Sequence, residues 1–325
     1  ATRTPALAKR VVPGTHHLRL EKEGYASFEK EIDVQSRETT IIENAVLFLD
    51  SLPTPLHTLN PTVSAASPLG GTIAYGVVSE PWFELWMYST IDDSFLLVDR
   101  LSTREVVTPE LTWTHDGMLL LTAALPKTHQ TRAYSTTSPL LTSPYSNYSF
   151  VSLDSGDALM TSDSTTPIAI LAPGDYKVID QVGSLLIVRD FADRRLVVVD
   201  TITSGPPILL NAFAEFFHFQ GNTLIFSDGF ELRTYDPTTN TDTLITRSGT
   251  PLLDVVPYPY GETVFVVTEN GVTALDIADP SHVVATPLVA TESLQSFLID
   301  QKGRNGYFVG TVSGTTGIFH IALTR

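Results

Sequence analysis

The chain has 325 residues, with 20 Lys and Arg against 36 Asp and Glu for a net charge of −16, 42% hydrophobic residues and no cysteine. This hydrophobicity, with only 17% charged residues, argues against a disordered chain, and the length is enough for a large buried core. The missing cysteines exclude disulfides, thiolate metal sites and thiol catalysis, and the acidic balance argues against nucleic acid as a main partner.

The acidity is uneven. Residues 1–40 hold 7 basic and 6 acidic residues, whereas residues 41–325 hold 13 and 30, a local charge of −17. This shift predicts a boundary over 45–55, with Leu52-Pro53-Thr54-Pro55 as a linker. Ahead of it, residues 15–20 (THHLRL) and 28–34 (FEKEIDV) alternate as half-buried strands do. Pro13-Gly14 makes a turn before the first, and Glu23-Gly24-Tyr25 separates the two. A third short strand is predicted at 45–49 (AVLFL), which makes residues 1–50 a small β-sandwich fragment.

Thr4-Pro5, Pro13-Gly14, the Leu18-x-Leu20 strand, Lys22-Glu23-Gly24-Tyr25 and the Ile32-x-Val34 strand follow one another in an order that resembles the second half of a PEGA domain. The resemblance covers residues 2–49 and implies one or two further strands upstream. It also implies a binding or spacer module, and an extracytoplasmic place on a bacterial or archaeal surface or envelope behind a membrane anchor. The chain itself starts at Ala1, as a processed or partial product would, and shows no signal-peptide pattern there. It has no run of about 18 apolar residues, so contact with a membrane is expected only through such an upstream anchor.

Residues 54–325 repeat. Strands ending in Asp or a small polar residue recur at FELWMYS (83–89), SFVSLDS (149–155), RLVVVDT (195–201), ELRTYDP (231–237), VTALDIA (272–278) and GIFHIAL (317–323). Apolar partners precede them, from TIAYGVV (72–78) and MLLLTAA (118–124) to GYFVGTV (306–312), and outer strands such as SFLLVDR (94–100) follow in several units. Periods near 40–45 residues with four strands each are the mark of propeller blades. Six units are counted, and 54–60 (TPLHTLN) is predicted to close the ring as the outer strand of the last one. One step of 65 residues is too long; 126–147 is read there as a loop inserted in blade two, with a seventh blade as the alternative. The repeat, with Leu85-Trp86-Met87-Tyr88 and its aspartate-ended strands, is similar to TolB-like propellers.

No chemistry-bearing motif stands out. The eight histidines lack metal-ligand spacing, and no nucleophile elbow, phosphate loop or dinucleotide fingerprint occurs, so neither a metal nor a cofactor is predicted. Asp92-Asp93 and Asp154-x-Gly156-Asp157 read as acidic hairpin turns. The candidate binding residues are polar groups on inner strands facing the propeller axis: Glu110, Trp113, His115, Asp175, Asp180, Glu215 and His218. Solvated tunnel residues would look the same. Trp82 and Trp86, beside Pro81 and Phe83, form an aromatic cluster at a hairpin that serves equally as an interface anchor or as rim packing.

The predicted fold is therefore all-β, a PEGA-like sandwich fragment over 1–50 followed by a six-bladed propeller over 54–325. The predicted function is non-enzymatic binding of a protein or glycan at the cell surface or envelope. Alternatives are a structural subunit of a surface assembly, and a hydrolase or lyase acting through Glu110, His115 or His218.

Overall fold

The computed structural model describes residues 8–42, 45–114, 117–125, 128–134, 147–190, 195–202, 208–213, 216–221 and 223–325. Among the described residues there are 28 β-strands and no helix. The first two, β1 (Gly14–Leu20) and β2 (Phe28–Val34), pair antiparallel as a hairpin of their own. Their alternation is the expected one, with Leu18 and Leu20 on the more buried face of β1, and Phe28, Lys30, Ile32 and Val34 on that of β2.

After β3 (Thr54–Thr58), the chain lays down sheets in sequence order. The first holds β4 (Val63–Ala66), β5 (Thr72–Ser79), β6 (Trp82–Ser89) and β7 (Ser94–Ser102). Two three-stranded sheets follow. One holds β8 (Val107–Trp113), β9 (Leu119–Leu125) and β10 (Thr128–Tyr134), the other β11 (Tyr148–Leu153), β12 (Gly156–Thr161) and β13 (Ala169–Leu171). The fourth holds β14 (Tyr176–Val182), β15 (Leu185–Asp190), β16 (Arg195–Asp200) and β17 (Ile208–Phe213). The fifth holds β18 (Phe216–Gln220), β19 (Thr223–Ser227), β20 (Glu231–Asp236) and β21 (Thr241–Arg247). The sixth holds β22 (Leu252–Pro257), β23 (Thr263–Thr268), β24 (Gly271–Asp276) and β25 (Val284–Ala290). The seventh holds β26 (Ser293–Ile299), β27 (Asn305–Val312) and β28 (Thr315–Ala322), and β3 returns to pair with β28 as its outer strand.

The core explains why the second strand of a sheet reads as an apolar run. In β19, Leu224 and Phe226 pack with Ile187, Leu196 and Val198 of the preceding sheet, while Ile225 between them packs with Val255, Val264 and Val266 of the next. Alternate side chains thus meet a different neighbouring sheet, and every position must be apolar. Burying one such side chain as fully as Phe226 stabilises by about 1.5–3 kcal/mol. Similar clusters join sheets one and two around Phe83 and Trp113, three and four around Leu159 and Val188, and six and seven around Phe265 and Phe297. Ile73, Tyr75 and Tyr88 of the first sheet pack with Leu298, Val309 and Ile318 of the seventh, so the last sheet meets the first. This is a β-propeller.

Four expectations change. The stretch 126–147 is not all an inserted loop, since Thr128–Tyr134 form β10, while 126–127 and 135–146 lie outside the described residues. Outside the N-terminal hairpin the described strands form seven sheets, not six units. MLLLTAA lies in β9, which pairs with β8 and β10, whereas SFVSLDS lies mostly in β11, which opens a new sheet with β12. Residues 45–49 do not add a strand to the hairpin; they make one bridge, Leu49 to Tyr25, and bury Phe48 among Tyr258, Phe265 and Phe297 instead. The expected linker is half strand, because Thr54 and Pro55 belong to β3.

Candidate functional site

The inner strands of six of the seven sheets line a cavity of about 790 Å³. Its walls come from β4, β8, β14, β18, β22 and β26, and from the turns that follow several of them, such as Ser67–Gly70, Tyr258–Pro259 and Asp300–Gln301.

A repeated irregularity shapes this wall. The register shifts between Val178 and Asp180 in β14, between Leu252 and Asp254 in β22, and between Leu294 and Ser296 in β26. Each extra residue re-aims the side chain that follows it. At two of the bulges the re-aimed residue is an aspartate that accepts the N–H of the next residue: Gln181 N to Asp180 Oδ1 at 2.7 Å, and Val255 N to Asp254 Oδ1 at 2.8 Å. At the third, the Ser296 hydroxyl meets that of Ser64 on β4 at 2.7 Å.

Hydrogen bonds tie neighbouring sheets together around the axis. His218 Nε2 on β18 lies 2.6 Å from Asp254 Oδ1 on β22. Gln295 Nε2 donates to the Pro61 carbonyl at 3.2 Å, and Trp113 Nε1 donates to the Ala65 carbonyl at 3.1 Å. Burial by itself pulls the His218 pKa down, but the charge and hydrogen bond of Asp254 and the charge of Asp180 override it, and the imidazole is held above its ordinary value. Asp180 is 1% exposed. Arg189, on β15, also lines the cavity, and both it and Asp180 make further polar interactions.

The candidate residues divide. Trp113, Asp180 and His218 line the cavity. Glu110 lies on β8 with its side chain exposed and does not line it, and Asp175 lies just before β14, exposed, with its N–H donating to Asp190 Oδ1 at 3.1 Å. His115 and Glu215 fall outside the described residues. Trp82 and Trp86 lie on β6, away from the cavity: Trp82 is 43% exposed, while Trp86 packs beside the cluster of Tyr75 and Tyr88 and donates Nε1 to Glu84 Oε2 at 3.2 Å. Ser64, Ser296, Arg189, Phe217 and Phe219 line the cavity without having been singled out in sequence. Inner-strand placement is the signal that would have found all of them but Arg189, which reaches the cavity from the second strand, β15. Among the described residues, no group of His, Asp and Glu is arranged to hold a metal ion.

Fold and cavity define a propeller with an axial pocket, joined to an N-terminal β module. Residues 2–46 match the family model of the PEGA domain. Among curated protein sequences, no match to this chain is found. Solved structures are similar in fold. A chain of the crystal structure of the mitotic checkpoint complex has 11% identity and a TM-score of 0.53, over 89% of this chain and all of that one. The Neurospora crassa Pan2 WD40 domain has 9% identity and a TM-score of 0.48, over 82% of this chain and 91% of its own. A chain of Kuenenia stuttgartiensis hydrazine synthase has 11% identity and a TM-score of 0.49, over 83% and 97%.

Proposed function

We propose that this chain is a non-enzymatic binding protein of the cell surface or envelope, which recognises a protein or glycan through its propeller and is positioned by its PEGA-like module. Each of the seven sheets is taken as one blade. The observation that carries this reading is the pairing, on one chain, of a PEGA match over 2–46 with a closed ring whose axial cavity is lined by mutually paired polar groups. The module supports a location outside the cytoplasm, and the propeller supports binding. The enzyme reading relied on Glu110, His115 or His218, and Glu110 is exposed and does not line the cavity that His218 lines.

The test is surface labelling of intact source cells with a membrane-impermeant reagent, followed by cross-linking to capture bound partners. The expected result is labelling without lysis and a specific cross-linked complex. Labelling only after lysis, with the chain a free monomer, would overturn the proposal.

A further inference from the structure

We propose that the axial cavity binds a neutral saccharide of about one or two rings, an assignment that rests on the surface-binding function above and names the ligand of that site. The cavity, at about 790 Å³, is of the size that encloses small molecules, within the general range of roughly 300–1,000 Å³.

Charge narrows the ligand. Asp254 Oδ1 already meets Val255 N and His218 Nε2. Asp300 accepts from Lys302 N at 3.1 Å, Arg304 N at 2.8 Å and Asn305 Nδ2 at 2.7 Å. Asp180 and Arg189 are engaged as well. A wall whose charged groups mostly spend their hydrogen bonds on the protein itself has less to offer a counter-charge, and the chain's −16 repels an anion on approach.

Hydrogen-bonding capacity narrows it further. Three glutamines line the cavity, and each spends an amide N–H on a backbone carbonyl: Gln220 on Gly261 at 3.1 Å, Gln295 on Pro61 at 3.2 Å and Gln301 on Leu69 at 3.4 Å. These bonds fix the amides and leave their Oε1 atoms, together with Asp254 Oδ2, as acceptors. Fixed acceptors select a ligand rich in donors, because a purely apolar occupant would leave them unpaired. Trp113, Phe217 and Tyr258 supply apolar surface in the same wall. Hydroxyl donors around the edge of a ring with apolar C–H faces are the chemistry of a sugar. An ammonium ligand is the nearest competitor, and it makes no use of the aromatic wall beyond cation–π contact.

The test is calorimetric titration of the whole chain with four classes of probe: methyl hexosides and neutral disaccharides, a 2-amino-2-deoxyhexose, putrescine, and a hexose phosphate. A neutral saccharide is expected to bind best and the phosphate worst. Asp254→Asn and Gln295→Ala should each weaken saccharide binding by about tenfold, while the exposed Glu105→Gln leaves it unchanged. Two separate variants keep the test informative if one fails to fold, as judged by its melting curve. The assignment is overturned if no saccharide of the panel binds, if putrescine or the phosphate binds more tightly, or if both variants bind normally. Cell-surface labelling that succeeds while the saccharides fail removes this ligand and leaves the binding function standing.

Discussion

At His218, burial and charge pull in opposite directions, and charge wins because two aspartates reach it from adjacent strands of the ring. The consequence for stability follows from linkage. A histidine whose pKa is raised by folding contributes stability that is full below the unfolded value of about 6.5 and is lost as pH rises through the folded value. The wild-type chain should therefore melt higher than His218→Gln at about pH 6, with the gap closing by about pH 9. Melting curves of the two chains across that range are the measurement; a gap that widens with pH would contradict the assigned pairing. Only part of this was legible in the sequence. His218 and Asp180 were readable as inner-strand polar residues, but the contact between His218 and Asp254 spans 36 residues and depends on a bulge. A single extra residue in a strand leaves no mark in one sequence, because it looks like ordinary strand length.

At the scale of the element, ring closure rests on β3. The sequence predicted it from a shortage, since the last repeat ended without an outer strand while 54–60 stood unassigned ahead of the first. The pairing of Gly317 with Thr58 and of Ile318 with His57 supplies that strand. His57 adds a contact to the first sheet, with Nε2 2.6 Å from Asp93 Oδ1 and its ring edge-on to Phe95 at 4.8 Å. An exposed pair of this kind adds little by itself. The tight point is Gly317, where a Cβ would stand 2.0 Å from the His57 carbonyl oxygen. Gly317→Ala should cost about 1–3 kcal/mol through overpacking and should speed hydrogen exchange at 54–58. Gly249→Ala, where an added Cβ meets nothing within 4 Å, should leave both unchanged. Equal exchange at β3 in the two variants would count against this picture. The elements that resisted prediction are β8 to β13. There the Ser-, Thr- and Pro-rich stretch 126–147 masks the periodicity, and two three-stranded sheets look in sequence like one interrupted unit.

For the whole molecule, the point of interest is how the N-terminal module meets the ring. Phe48 stacks edge-on against Tyr258 at 5.5 Å and Phe265 at 5.4 Å. Leu49 N donates to the Leu323 carbonyl at 2.7 Å, and Lys30 on β2 pairs with Asp276 at 3.3 Å, the two side chains only 11% and 18% exposed. The module is thus packed on the ring rather than strung from it. Tyr258 belongs both to this contact and to the wall of the axial cavity, so the two share a side chain. Removing the Phe48 ring should cost about 3–5 kcal/mol, the usual range for a buried phenylalanine, and should loosen module and cavity wall together. Phe48→Ala is expected to expose residues 45–53 to limited proteolysis and to weaken saccharide binding in the same variant. Lys30→Met acts at the interface without touching Tyr258; it should raise proteolysis only slightly and leave binding intact. Intact binding in Phe48→Ala despite a released module would show that Tyr258 holds its place without the phenylalanine, and that position on the surface and ligand recognition are independent properties of this chain.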